Sequence, residues 1–390
     1  MIAGKVRARR ALVLTSGVIA ALVVCLPAGA HRDQAEARLA RPELSRNVLA
    51  FYSRFGPREA KWRWDVLTHV SIFAARLHVD PKKSAVTVQN TAFWRSKEVD
   101  SIRAAAHRHG AKVLLTITNF VYQVGFSGGL AHDVVGTRET RDAAVRAILR
   151  EAFSARHGDG VVIDFERLDS QDSGNFTMFV ATLAKAVHAA RPGAEVFVAV
   201  GAQNQRRKFD VPRLAAASDG IFLMSYLYHS KRSGPGPVSP LTSGSPWRRS
   251  IDLTIERYVG EGAPARKLIP AMRLGGNDWP ATSAEPGARR GTGRVRGVPY
   301  AKFRRLYLSG GLERHWDKAS QTPYITYRAS DGQWHQIWAD DNQSARLKLS
   351  FVKQRGLWGL GLWGLGREDD SLWTALRDVE TRPRAAAVGP

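Results

Sequence analysis

Short apolar runs alternate with amphipathic stretches along most of this 390-residue chain. That is the pattern of repeated strand–helix units and a parallel sheet. Residues 47–53 (NVLAFYS) read as a first strand and 66–74 (VLTHVSIFA) as a second. A helix over 101–109 is expected to stop at Gly110, whose access to positive φ suits a helix end. Residues 112–119 (KVLLTITN) read as the third strand. The stretch 138–157 carries Ala144, Ile148 and Ala152 on one helical face, with Gly158 at its end. Strands four to eight are expected at 160–166 (GVVIDFE), 195–202, 220–226, 267–273 and 357–363, with helices over 175–190 and 370–381. Eight such runs with helices between them predict an α/β fold, a (β/α)8 TIM barrel.

The gap between strands seven and eight is too long for one crossover helix. Within it, two runs of alternating aromatic and polar residues, 324–328 and 333–338, flank Ala329-Ser330-Asp331-Gly332. This is a hairpin signal, so a small α+β insertion is expected at about 278–345. The barrel domain is expected over 31–381, and the Ala- and Pro-containing stretch 382–390 as a flexible tail. Gly125, Gly128 and Gly129 read as a flexible rim after the third strand.

The first thirty residues stand apart. Lys5, Arg7, Arg9 and Arg10 precede an apolar run over 11–26, and Ala28-Gly29-Ala30 supplies small residues for cleavage. A signal peptide over 1–30 is expected, and with it a secreted or cell-wall-associated protein; an uncleaved segment would instead be a membrane anchor. Cys25 is the only cysteine, so the processed chain has no disulfide or thiolate chemistry. No histidine spacing suggests a metal site, and no cofactor is expected. The 58 Lys and Arg against 35 Asp and Glu give a net charge of +23. The basic residues are spread along the chain, which suits anionic surroundings such as cell-wall polymers rather than nucleic acid, for which no motif is present. A monomer is expected.

The fourth strand carries the chemistry. Side chains alternate along a strand, so Val161, Ile163 and Phe165 form an apolar outer set under the helices. Val162, Asp164 and Glu166 then face the barrel interior, with Glu166 nearest the carboxyl end, where barrel active sites lie. Two close carboxylates on a buried face raise at least one pKa, which suits a general acid. A structural pair satisfied by buried arginine or backbone donors is the alternative.

Residues 159–166 (DGVVIDFE) resemble the DGxDxDxE signature of family 18 glycoside hydrolases, closest to the bacterial cell-wall and spore-associated version DGVNIDFE. Further matches follow in order. Met224-Ser225-Tyr226-Leu227-Tyr228-His229 is similar to MTYDYH, and 236–240 (GPVSP) to GPVAP. Gly276-Asn277-Asp278-Trp279-Pro280 is similar to GYDWP, and 361–366 (GLWGLG) to GIWALG. The resemblance implies hydrolysis beside an N-acetylglucosamine-type sugar whose own acetamido oxygen attacks the anomeric carbon. By the same resemblance Glu166 is the acid and later the base, Asp164 orients the acetamido group, Tyr226 hydrogen-bonds it, and Trp363 lies beneath the ring. Tyr52, Met224, Tyr228, Asp278 and Trp279 are the further expected sugar contacts, and Trp247 and Trp338 are candidates to line a sugar groove. The expected substrate is a β-linked, N-acetylglucosamine-containing polysaccharide, peptidoglycan or chitin-like.

Three positions depart from the family pattern: Val162 stands where an Asp or Asn is usual, Leu227 replaces the Asp of MTYD, and Gly275 falls where Tyr is frequent. Each removes a polar contact. The alternative reading is therefore an impaired barrel that binds wall or chitin-like carbohydrate as a lectin or scaffold.

Overall fold

The computed structural model describes residues 46–381 apart from 55–61, 81, 122–123, 155–156 and 205–207. The expected signal peptide over 1–30 and the tail over 382–390 lie outside the described residues.

Eight parallel strands close a (β/α)8 barrel: β1 Asn47–Ser53, β2 His69–Asp80, β3 Lys112–Thr118, β4 Gly160–Asp164, β5 Glu195–Gly201, β6 Gly220–Met224, β7 Leu268–Arg273 and β8 Gly359–Trp363. They neighbour one another in chain order, and β1 pairs with both β2 and β8 to complete the ring. The barrel thus has no free edge along its staves.

The alternation read from β4 is the one observed. Val161, Ile163 and Phe165 belong to the apolar layer between strands and helices, where Phe165 packs on Phe176 and Phe179 of the helix Ser173–Ala190. Val162 lies in a separate interior cluster with Phe51, Leu114, Phe197, Phe222 and Ala271. Phe222 fills the interior beside β8. A Cβ at Gly361 would come within 2.4 Å of its ring and 2.6 Å of the Ala271 Cβ, so the glycine in β8 is a packing requirement. At the amino-terminal end of the barrel, His69 Nε2 meets the Glu195 carboxylate at 2.8 Å, Lys112 pairs with the same group at 2.9 Å, and the His69 ring packs on Trp358. This polar plug closes the bottom.

Several boundaries differ from expectation. The second strand starts at His69 and continues to Asp80, because its polar end leaves the barrel and pairs with Ala85–Gln89 as an antiparallel hairpin. The fourth strand ends at Asp164, so Glu166 stands two residues beyond it. Gly128 and Gly129 are not a rim loop. They open the helix Gly128–Val135, where the Ser127 hydroxyl accepts a hydrogen bond from the Leu130 amide. A Cβ at Gly128 would approach the Arg167 carbonyl to 2.7 Å, so that glycine permits the helix to sit under the loop after β4.

The insertion is a five-stranded antiparallel sheet in the order Arg296–Pro299, Gly275–Ala281, Trp334–Ala339, Thr322–Arg328, Arg314–Asp317. It begins directly after β7, three residues before the expected boundary. One face packs Ile325, Ile337 and Ala339 on Phe303 of the helix Tyr300–Leu308. The other packs Trp279, Trp338 and Tyr324 on Val238 and Trp247 of the loop after β6. Period-two alternation assigns the two faces.

Candidate active site

Asp164, Glu166, Met224, Tyr226 and Trp363 come together at the carboxyl-terminal mouth of the barrel, around a cavity of about 350 Å³. Barrel geometry places them there. Phe51, Trp363 and Arg273 are in register across β1, β8 and β7, so Trp363 projects inward at the level of the mouth. It is half-buried, and its indole meets Phe73 edge-on at 5.0 Å and lies nearly parallel to the Tyr226 ring at 6.2 Å. The part of the indole that lines the cavity is open to a flat apolar ligand surface.

The position of Glu166 depends on a residue of the third strand's end. The Asn119 side chain accepts a hydrogen bond from the Glu166 amide at 3.0 Å and donates one to the Glu166 carbonyl at 2.7 Å. The same amide group donates to the Ser127 carbonyl at 2.8 Å. Asn119 is fully buried. It fixes the backbone on which the Glu166 carboxyl is carried, and it ties that backbone to the cap of the helix Gly128–Val135.

The electrostatics favour protonated carboxyls. Burial pushes Asp164 well above the usual carboxylate range, and the neighbouring Glu166 charge adds to the shift. Burial also raises Glu166, against a partial opposing effect of Arg167. Tyr226 is pushed up by burial and then by the two carboxyls, so its hydroxyl stays a hydrogen-bond donor. Asp164 Oδ1 is buried and has no hydrogen-bond partner among the described residues. The side chain beneath it on the same face is Val162, which offers none. A neutral acid beside an unpartnered acceptor can deliver a proton to a leaving oxygen and orient an amide group placed over Trp363.

The structure does not bring every expected residue here. Tyr52 faces the outer layer, packed on Trp62 and hydrogen-bonded to Glu98 at 2.6 Å. Alternation gives the inward position to Phe51 instead. Asp278 accepts from Tyr327 at 2.9 Å and meets His335 at 2.8 Å inside the insertion sheet. Trp279 is wholly buried in the core of that sheet. Neither lines the cavity, because the motif that carries them is a strand of the insertion rather than the end of β7. Trp247 and Trp338 belong to the same core. Tyr228 lines an adjoining groove with Glu166 and Met224, but its hydroxyl is engaged by Ser250 and Thr254.

Sequence reasoning missed Phe73, Phe126, Arg273 and Arg367, all of which line the cavity. Arg273 carried a usable signal, a cation at the carboxyl end of a barrel strand. Phe73 carried none, since its inward direction depends on the register shift between Ile72 and Ala75. Leu227 is half exposed at the mouth.

Comparison with known proteins places these features in a family. The model for "Glycosyl hydrolases family 18" matches residues 47–368. A Bacillus subtilis glycosylase named for sporulation, YdhD, is 29% identical over 257 residues, covering 65% of this chain and 57% of the relative. Mouse chitotriosidase-1 is 29% identical over 262 residues, covering 61% of this chain and 55% of the relative. The match thus spans little more than half the length of these two relatives. A chitinase from Chromobacterium violaceum superposes with a TM-score of 0.70 at 23% identity, over 87% of this chain and 100% of that one; it is a likeness of fold.

Proposed function

The chain belongs to glycosyl hydrolase family 18, and from that premise we propose that it hydrolyses β-linked glycans containing N-acetylglucosamine, of the peptidoglycan or chitin type. The observation that supports this reading is the convergence of Asp164, Glu166, Tyr226 and Trp363 on one cavity at the carboxyl ends of the strands. The proposed reaction is substrate-assisted and retaining. A sugar lies over Trp363 with its acetamido oxygen beneath the anomeric carbon. Tyr226 donates a hydrogen bond to that oxygen, and Asp164 accepts one from the acetamido N–H. As the acetamido oxygen bonds to the anomeric carbon, the glycosidic bond breaks and the leaving oxygen takes the proton of Glu166. Water then adds at the anomeric carbon and returns a proton to Glu166, which regenerates the acetamido group. Burial raises the pKa of Glu166 above the usual carboxylate range, which favours holding the proton that the leaving oxygen takes.

A second reading, a carbohydrate-binding barrel with little turnover, is favoured by one observation. Asp164 Oδ1 lacks a partner and the residue below it is apolar, so nothing on its own strand holds the carboxyl in its working direction. A fluorogenic N-acetylglucosamine oligomer distinguishes the two. Hydrolysis by the wild type, with a loss on the order of 10³-fold in Glu166→Gln and retained binding, supports the hydrolase. A wild type and a Glu166→Gln variant that are equally silent but still bind would establish the lectin. Export and association with a cell wall belong to the same proposal, and they rest on the basic and apolar pattern of residues 1–30.

A further inference from the structure

The wall of the cavity opposite β4 is cationic. Arg273, at the end of β7, and Arg367, after the turn that follows β8, both line it together with Trp363 and Tyr226. Among the described residues neither guanidinium has a carboxylate partner. The Arg273 guanidinium makes one polar contact among the described residues, a long one, donated from Nη1 to Asn277 Oδ1 at 3.4 Å. The nearest acid in sequence, Glu368, is turned away and accepts from the backbone amides of Gly366 and Arg367. The two arginines act on each other: burial and then the Arg367 charge lower the pKa of Arg273. Asp164 and Glu166 line the same cavity, but among the described residues neither forms an ion pair with either guanidinium, and burial shifts both towards the protonated form. Over the rim, a second depression continues from Arg273 past Leu227 to Lys231 and Arg232, both exposed. Holding two unpaired guanidiniums in a partly buried cavity is costly unless an anion joins them.

We propose that Arg273 and Arg367 bind a carboxylate carried by the glycan, on or beside the sugar stacked over Trp363, and so select an acidic polymer over a neutral one. Planar guanidinium forks suit a carboxylate in two-point contact. Leu227 fits the same arrangement, because an Asp at that position on the rim would repel such a substrate. Lys231 and Arg232 continue the positive surface beyond the rim, in the depression they share with Arg273. The carboxylate can come from a lactyl ether, as in N-acetylmuramic acid, or from a hexuronic acid. The inference rests on the proposed glycan-binding role of this cavity.

Calorimetry on the full chain carrying Glu166→Gln tests it with four tetrasaccharides. These are an N-acetylglucosamine oligomer, an alternating N-acetylglucosamine–N-acetylmuramic acid oligomer, the same with its carboxylates amidated, and an alternating N-acetylglucosamine–glucuronic acid oligomer. At least one acidic ligand is expected to bind tenfold or more tightly than the neutral oligomer. Adding Arg273→Gln or Arg367→Gln should remove that preference, and Arg273→Lys should restore part of it. If the muramic ligand is preferred, amidation should abolish its advantage without any change to the protein. Which acidic ligand is favoured identifies the source of the carboxylate. Equal binding of neutral and acidic ligands, or a preference that survives both arginine substitutions, overturns the proposal. Wild-type turnover of all four oligomers is measured alongside. Cleavage without acidic preference leaves the hydrolase standing and this inference refuted, whereas acidic preference without cleavage does the reverse.

Discussion

At the scale of single residues, the pair Val162 and Asp164 sets the character of the site. Both were legible in the sequence, because alternation along β4 assigns one face to the helices and the other to the barrel. What the sequence did not show is that Asp164 Oδ1 would be left without a partner. Val162→Asn places a donor on the same face, one pleat below. The expected outcome is a rise in kcat of up to about tenfold in the fluorogenic assay, with stability lowered by roughly 1–2 kcal/mol for a polar group among Leu114 and Phe197. Asp164→Asn should act in the opposite sense on both counts. The raised pKa of Asp164 in the fold means that the folded state holds its proton where the unfolded chain has lost it. Its stability contribution is therefore complete below the ordinary carboxylate pKa and is lost as pH rises through the raised one. Thermal melts of Asp164→Asn against wild type should show a gain on the order of 1 kcal/mol at pH 7, shrinking towards zero near pH 3.5. A gain that is the same at both pH values would show that ionisation of Asp164 is not its cause.

At the scale of elements, the strands were readable and their exits were not. Strand cores announce themselves through runs such as VVI or FVAV, but the loops that carry the site take their shape from contacts between distant segments. Asn119 illustrates this. It sits at the end of an apolar strand, where a polar residue draws no notice, yet its amide clamps the Glu166 backbone from 47 positions away. Asn119→Ala should lower kcat on the order of 10²-fold through misplacement of the acid while KM changes little, which a full Michaelis curve will separate. The GNDWP motif failed for a related reason. Its resemblance to GYDWP made Asp278 and Trp279 expected sugar contacts, but the chain turns there into the insertion sheet and buries Trp279 against Val238 and Trp247. The hairpin at 322–339 was visible because its turn residues are local. Gly275–Ala281, by contrast, pairs with Trp334–Ala339 more than fifty positions away and left no comparable mark.

At the scale of the whole molecule, barrel closure was legible from the count of eight runs, and the direction of the mouth followed from the parallel strands. Closure at the other end was not, because His69, Lys112 and Glu195 come from three separate strands. That plug, with Leu49, Leu114, Val162, Phe197, Phe222 and Ile269 packed above it without exposure to solvent beyond 1%, makes the barrel a flask rather than a pipe. Protons reach Asp164 and Glu166 from the carboxyl-terminal mouth, and under the proposed function a bound glycan chain covers that mouth. Each encounter is then decided by the charge the flask already held when the substrate arrived. Consequently kcat/KM should fall as pH rises through the raised pKa of Glu166, while kcat measured at saturation should stay flat over a wider span; parallel pH profiles of the two constants will test whether the site is sealed in this way.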